Sequence, residues 1–323
     1  MNYRVLGRSG LEVSEISLGC WAIGGPSWRD GNPVGWSGND DRESLDGLRR
    51  AWELGINHYD TADVYGDGHS ERVLGEWLRE APREQIIIAS KVGWFKGTAG
   101  HAMEHVHIRH QLEQTLFNLG TDYIDIYYFH NADFGPQDKY LENAAATVHR
   151  MQEEGKIRVV AQSAYSFADF QRVCPVTKPD ILQFHYNAFG SEFDQPGNLF
   201  EWAESQNLGM VLFGPLAQGL LLDKFDPDNP PQFGEGDIRA GNQGFSREKL
   251  LDIRQKLQPL KERFGGESQD LVRVALQFAL AQSPNACVIP GFKNARQVES
   301  NANAAGQPLS PEDVELIRKT LSN

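Results

Sequence analysis

Asp60, Tyr65, Lys91 and His130 are ionisable residues that fall at or just past the ends of short apolar runs. GINHY leads into DTADVYGDGHSE (60–71), and IIIASKV (86–92) and YIDIYYFH (123–130) follow. A core has no use for a carboxylate and a phenol one short loop apart. With an ammonium beside them they make a proton-transfer set. A free phenol has a pKa of about 10, a poor match to neutral pH. A nearby ammonium favours the phenolate and lowers that value. The ammonium must stay charged while buried, which a carboxylate partner secures. Lys91 and Asp60 fill those two parts for Tyr65, and His130 can hydrogen-bond a substrate oxygen or relay a proton. Such a set suits a proton donor to a carbonyl that is becoming an alkoxide. Singly, each residue has an ordinary structural use, such as a helix cap or a packing contact. The conjunction sets them apart. An electron source is still needed, and the sequence has no GxGxxG, no Walker loop and no metal-ligating cluster.

Elements must bring these residues together. Eight short β-rich runs recur: EISLG (15–19), HYDTA (58–62), IIIASKV (86–92), YIDIYYFH (123–130), RVVAQSA (158–164), ILQFHYN (181–187), GMVLFGP (209–215) and ACVIPG (286–291). Helical patterns lie between most of them. In HIRHQLEQTLFNLG, Ile108, Leu112, Leu116 and Leu119 share one face. SLDGLRRAWELG, SERVLGEWLRE and LVRVALQFALA read likewise, and Gly55, Gly120 and Gly155 stand where a left-handed C-cap is expected. Strands buried on both faces and followed by helices demand a parallel sheet. Eight such units without a break in composition predict an α/β fold, a (β/α)8 TIM barrel forming one domain over residues 1–323. MNYRVLGRSGLEVSE predicts an N-terminal β-hairpin that could plug the barrel bottom. Two segments, 22–41 and 224–246, are too long for plain connections. Each follows a strand, so each belongs at the C-terminal face, where barrel enzymes keep their sites.

The 323 residues are 40% hydrophobic, enough for a large core. A net charge of −13 disfavours nucleic-acid and membrane binding, which rest on basic surface. It does not exclude a small anionic ligand at a local positive site. Three scattered cysteines and the lack of a signal-like N-terminus point to a reducing, cytoplasmic setting. No run of about 18 apolar residues is present. The oligomeric state stays open. In GFKNARQVESN (291–301), Asn294 can cap a helix whose third residue is Gln297. That helix start, with Lys293 and Arg296, favours an anion.

DTADVYG, ASKVG and YYFHNAD, in this order on an eight-unit barrel, closely resemble the aldo-keto reductases. The resemblance runs from LGRSGLEVSEISLGCWAIGG to VIPGFKNARQVESNA and is strongest to the bacterial branch that also resembles potassium-channel β-subunits. It implies reduction of aldehydes and ketones by hydride from NADPH bound without a Rossmann fold. Tyr65 would be the general acid, Lys91 and Asp60 would tune it, and His130 would orient the carbonyl. Ser163 and Gln183 would hold the carboxamide, with Phe213 stacked on the nicotinamide and Trp21 nearby. Gly214, Pro215, Leu216, Gln218 and Gly219, within GPLAQGLL, would wrap the pyrophosphate. Lys293 and Arg296, after Gly291, would meet the adenosine phosphate, and Gln297 and Asn301 the adenosine end. Trp28, Trp94 and Asn131 are the substrate candidates, with Phe134 a further specificity residue. The chain departs from the family pattern at Ala164, where an Asn is usual, and at Phe292, where a small residue is usual and a ring could crowd the phosphate. Two alternatives remain: the same chemistry run backwards on a polyol or sugar, and a cofactor-loaded module that signals redox state to a partner. His101-x-x-Glu104-His105 has the spacing of an inverted zinc-peptidase motif but needs a continuous helix.

Overall fold

A computed structural model describes residues 1–195 and 197–321. Strands β1 (Tyr3–Val5) and β2 (Glu12–Ser14) form the expected antiparallel hairpin. The barrel begins with β3 (Leu18–Gly19). A short ribbon, β4 (Trp28–Arg29) and β5 (Asn32–Pro33), then stands inside the first long loop. The remaining barrel strands are β6 (His58–Asp60), β7 (Ile87–Val92), β8 (Ile124–Phe129), β9 (Ile157–Ser163), β10 (Ile181–His185), β11 (Gly209–Phe213) and β12 (Ala286–Ile289). They pair in parallel and in chain order from β3 to β12. Ser17 N–H donates to Val288 O at 2.9 Å and Gly19 N–H to Pro290 O at 3.0 Å, so the last strand returns to the first. Every run read from the sequence as a strand is one.

Helices α1 (Asp41–Glu53), α2 (His69–Leu78), α3 (His105–Leu119), α4 (Leu141–Glu153), α5 (Phe167–Thr177), α6 (Leu199–Ser205), α7 (Arg247–Phe264), α8 (Ser268–Leu280), α9 (Ala295–Ala302) and α10 (Pro311–Leu321) flank the strands. Ile108, Leu112, Leu116 and Leu119 are the buried face of α3, as their spacing requires. Among the described residues no helix is long and apolar enough to cross a membrane.

Alternation along the strands sorts the core into two parts. Ile88, Tyr127, Phe129, Val160, Leu182, Leu212 and Val288 face the helices in the larger cluster. Ile87, Ala89, Ile126, Tyr128, Val159, Ala161, Ile181, Val211 and Cys287 fill the barrel interior. Leu6, Leu11 and Val13 of the hairpin join that interior cluster, so the hairpin closes the barrel at the strands' N-terminal ends.

The two long loops meet each other. Ile238 N–H donates to Gly35 O at 2.9 Å, and Asp237 Oδ2 accepts from Ser37 N–H and Ser37 Oγ, each at 2.9 Å. Arg239 forks onto Asp237 at 2.9 and 2.7 Å, with its guanidinium 4.1 Å from the ring centres of both Trp36 and Phe233. Burial alone would raise the Asp237 carboxyl. Arg239 and the donors around it hold it down at about 2.

Candidate active site

The interior face of each strand changes character one step above the apolar layer. On β7 the inward series runs Ile87, Ala89, Lys91; on β9 it runs Val159, Ala161, Ser163; on β10, Ile181 is followed by Gln183; on β11, Val211 by Phe213. Side chains two apart share a face, so the interior pattern itself delivers Lys91, Ser163, Gln183 and Phe213 to the barrel mouth. Asp60 lies opposite Ala89 in the β6–β7 register and joins the same layer. His130 follows Tyr128 by two and stands one residue past the end of β8.

Lys91 is the centre of the layer and is fully buried. Its Nζ donates to Asp60 Oδ1 at 2.5 Å, to Thr61 O at 2.6 Å and to Tyr65 Oη at 3.2 Å. Gln183 Nε2 donates to the other Asp60 oxygen at 2.8 Å. Burial pushes the Asp60 carboxyl up, and Lys91 and Gln183 pull against it. Tyr65 departs from expectation. Burial pushes its phenol well above the ordinary range, and the negative charge of Asp60 adds to this. Desolvating a phenolate costs more than Lys91, already shared with a carboxylate, returns. Tyr65 therefore enters neutral pH as a protonated donor. His130 is held well below the ordinary histidine range, first by burial and then by Lys91 and Arg29, so its imidazole is neutral. His130 Nδ1 is buried with no partner among the described residues.

Tyr65 is fixed from both sides. Its ring stacks on Trp21 at 5.8 Å and meets His130 edge-on at 5.8 Å. The next residue, Gly66, has φ 60°, and a Cβ there would lie 1.9 Å from Gly24 O. Only glycine lets the chain turn that close to the loop after β3.

A cavity of about 660 Å³ opens above this layer. Asp60, Tyr65, His130, Trp21, Ser163, Gln183, Phe213 and Trp94 line one end. Gly214, Pro215, Leu216, Gln218 and Gly219 continue along it, and Gly291, Lys293, Gln297 and Asn301 close the other. Gly214, Ala217, Gln218 and Gly219 all have positive φ, from 46° to 93°. Ala217 and Gln218 carry a left-handed strain of about 1–2 kcal/mol each. Left-handed turns of this kind make backbone concavities that suit a phosphate. Lys224 and Arg239 face the same end as Lys293. Burial lowers both lysines, and the charge of Arg239 adds to it. An acidic protein has thus gathered three cations around one end of one cavity.

Some candidates lie elsewhere. Trp28 is exposed on the ribbon and does not line the cavity. Asn131 is a buried brace: its Nδ2 donates to Gly93 O at 2.7 Å and its Oδ1 accepts from Asp133 N–H at 2.9 Å. Arg296 is exposed on the first turn of α9, outside the lining. Phe134 is a core residue packed on Phe129. Phe292 lines the cavity between Gly291 and Lys293, so its ring helps to shape the phosphate end. Its ring is buried against Gly47 of α1, where a Cβ would meet it at 2.7 Å. Asn294 Oδ1 accepts from Gln297 N–H at 3.1 Å as the capping pattern predicts. Gln297 Oε1 takes the N–H of Lys293 instead of closing the box on the cap residue. His101 stands outside α3, stacked on Tyr140, so the zinc-peptidase spacing has no continuous helix beneath it. Arg29, Lys224 and Arg239 were missed. They are the only cations in the two long loops, a signal the sequence did hold.

Two further buried carboxyls, Glu71 and Asp63, lie near the mouth. Glu71 accepts from Ser90 Oγ and Thr115 Oγ1, both at 2.8 Å, and from Asn118 Nδ2 at 2.9 Å. Asp63 has less: Gln111 Nε2 at 3.1 Å, with Oδ1 unpartnered. Burial, then Glu71, pushes Asp63 up to about 8. A carboxyl raised above its unfolded value of about 3.9 stabilises the fold below that pH and loses the contribution as pH rises through its folded pKa. Asp63→Asn should therefore melt above wild type by at least about 2 °C at pH 9, with the gap much narrower at pH 5. Scanning calorimetry at both pH values checks this; a gap independent of pH means Asp63 does not titrate there.

A parallel barrel with this polar mouth defines an oxidoreductase that acts on carbonyl and alcohol groups. The chain belongs to the aldo/keto reductase family, whose sequence model matches residues 15–322. Aldo-keto reductase YhdN of Bacillus subtilis (strain 168) is 29% identical, with 100% of this chain and 94% of the relative covered. The NADH-specific methylglyoxal reductase of Escherichia coli (strain K12) is 29% identical, with 97% and 96% covered. The solved glycerol dehydrogenase AKR11B4 from Gluconobacter oxydans superposes with a TM-score of 0.80 at 25% identity, over 99% of this chain and 94% of that one.

Proposed function

We propose that this protein is an NADPH-dependent aldo-keto reductase, one domain over residues 1–323, that turns aldehydes and ketones into alcohols with Tyr65 as the general acid. The observation that carries this reading is the buried Lys91, shared between Asp60 and Tyr65 Oη at the cavity wall. The cofactor, when bound, supplies the hydride. Tyr65 Oη gives its proton to the substrate oxygen as negative charge builds there. His130, neutral, donates an N–H to the same oxygen and orients it. Lys91 stabilises the phenolate left behind, and Asp60 keeps Lys91 charged. Trp21, stacked on Tyr65, shields the phenol from water, which strengthens these interactions. Three free, buried cysteines fit a cytoplasmic setting.

NADPH is preferred in this reading because Lys293, Lys224 and Arg239 surround the far end of the cavity. One relative is named for NADH, so the preference rests on this chain's own cations. Lys293→Met should weaken NADPH about 10–100-fold, the worth of a charged hydrogen bond, and NADH much less. Fluorescence titration with both cofactors checks this. Equal losses would move Lys293 to the shared pyrophosphate.

The test of the whole reading is NADPH oxidation by purified protein with and without a reactive aromatic aldehyde. Aldehyde-dependent oxidation supports it; tight cofactor binding without turnover refutes it. A second reading, the reverse reaction on a polyol, is favoured by the likeness to a glycerol dehydrogenase. NADP+ reduction on a polyol panel, compared with the aldehyde rates, separates the two.

A further inference from the structure

Arg29 lines the cavity at its reaction end, beside Trp94, His130, Tyr65 and Tyr165. It stands on the ribbon strand β4, with its guanidinium 5.2 Å from the centre of the Trp94 ring. Trp94 in turn meets His130 edge-on at 6.3 Å. Among the described residues no carboxylate pairs with Arg29 and no acceptor takes its side-chain N–H groups; the contact with Trp94 is what holds it. A cation–π contact uses the charge of a guanidinium and leaves its N–H fork free to chelate an oxyanion. Asp63 is the carboxyl whose field Arg29 reaches. Burial holds Asp63 up at about 8, so at neutral pH it is largely protonated and does not neutralise Arg29. Other arginines of this acidic chain, such as Arg83, Arg158 and Arg239, are tied to aspartates. A cation left open to the reaction pocket needs a different occupant.

We propose that Arg29 is a specificity residue that binds an anionic group on the substrate, so that the preferred substrates are short aldehydes or ketones carrying a carboxylate or a phosphate. This rests on the reductase reading above. With the carbonyl at Tyr65 and His130, an oxyanion at the far end of a short chain reaches Arg29 along the Trp94 wall. Aromatic walls lower the local dielectric and strengthen that contact. The chain's net charge of −13 repels anions at long range, so recognition depends on this local cation.

The test compares kcat/KM within two pairs, succinic semialdehyde against butanal and glyceraldehyde phosphate against glyceraldehyde, with NADPH saturating. Wild type should favour the anionic member at least about tenfold in one pair, and that pair identifies carboxylate or phosphate as the group. Arg29→Met should cut this ratio at least about tenfold, and Arg29→Lys should keep part of it because it keeps the charge but not the fork. The preference should also shrink at high salt, as a charge-based one does. A ratio near one in both wild-type pairs overturns the proposal and leaves the reductase reading standing. So does a high ratio that survives in Arg29→Met. Failure of wild type to reduce any of the four overturns both.

Discussion

Tyr65→Phe should bind NADPH as wild type does and lose aldehyde turnover by at least about 10²–10⁴-fold, the usual worth of acid catalysis. The substitution removes one oxygen and little else. The ring that remains still stacks on Trp21 and meets His130. Lys91 gives up its 3.2 Å contact with Tyr65 Oη but keeps the shorter ones to Asp60 and Thr61 O. Stability should fall by only about 1 kcal/mol, so lost activity cannot be laid to unfolding. Burial keeps the phenol protonated through neutral pH, and a proton on Tyr65 is what reduction needs. Wild-type reduction should accordingly show no acid-side requirement from Tyr65 around neutrality. Steady-state rates, a cofactor titration and a melt on the same two proteins decide the matter. Turnover within threefold of wild type would assign the proton to His130 or to water instead.

The residues of that site were legible because the barrel interior is periodic. Ile87, Ala89 and Lys91, or Val159, Ala161 and Ser163, stand two apart, and parity alone places the last of each at the mouth once the first two are inside. All eight strands could be read because each is a short apolar run closed by Gly, Pro or a helix start. Direction was the part parity did not settle. Trp28, Asn131 and Phe134 lie close to the mouth in sequence, but one points to solvent, one braces Gly93 and one enters the core.

Loops resist this reading for a physical reason. Segments 22–41 and 224–246 follow no period, and their path is set by each other. Ser37 caps Asp237, Asp237 holds Arg239, and Arg239 lies between Trp36 and Phe233. No local pattern encodes a contact across 200 residues. Composition did carry one trace of it: these loops hold three cations, and all three line the cavity. The expected fall in the Tyr65 pKa failed for a related reason. The sequence shows which charges are near but not how much water is removed, and here desolvation outweighs the nearby ammonium.

Lys91→Met should lose both activity and stability, and the two losses should come apart in a double variant. Lys91 and Asp60 are both almost wholly buried, 2.5 Å apart. Removing the ammonium leaves a buried carboxylate with Gln183 as its remaining side-chain partner, a loss of about 3–5 kcal/mol by analogy with other broken buried pairs. The carboxyl then has its pKa raised further. A group raised above its unfolded value stabilises the fold at low pH and loses that contribution as pH rises, so the stability deficit of Lys91→Met should shrink on acidification. Asp60→Asn combined with Lys91→Met removes the orphaned charge, and urea unfolding should show most of the lost stability restored at neutral pH. Turnover should stay at least about 10²-fold down in that double variant, because the ammonium in contact with Tyr65 Oη is gone and no longer stabilises the phenolate as it forms. Recovery of both would make the pair a structural ion pair with no part in proton transfer. Recovery of stability alone separates what Lys91 does for the fold from what it does for Tyr65, and a buried ammonium that can be replaced for one and not the other is held in place by the chemistry.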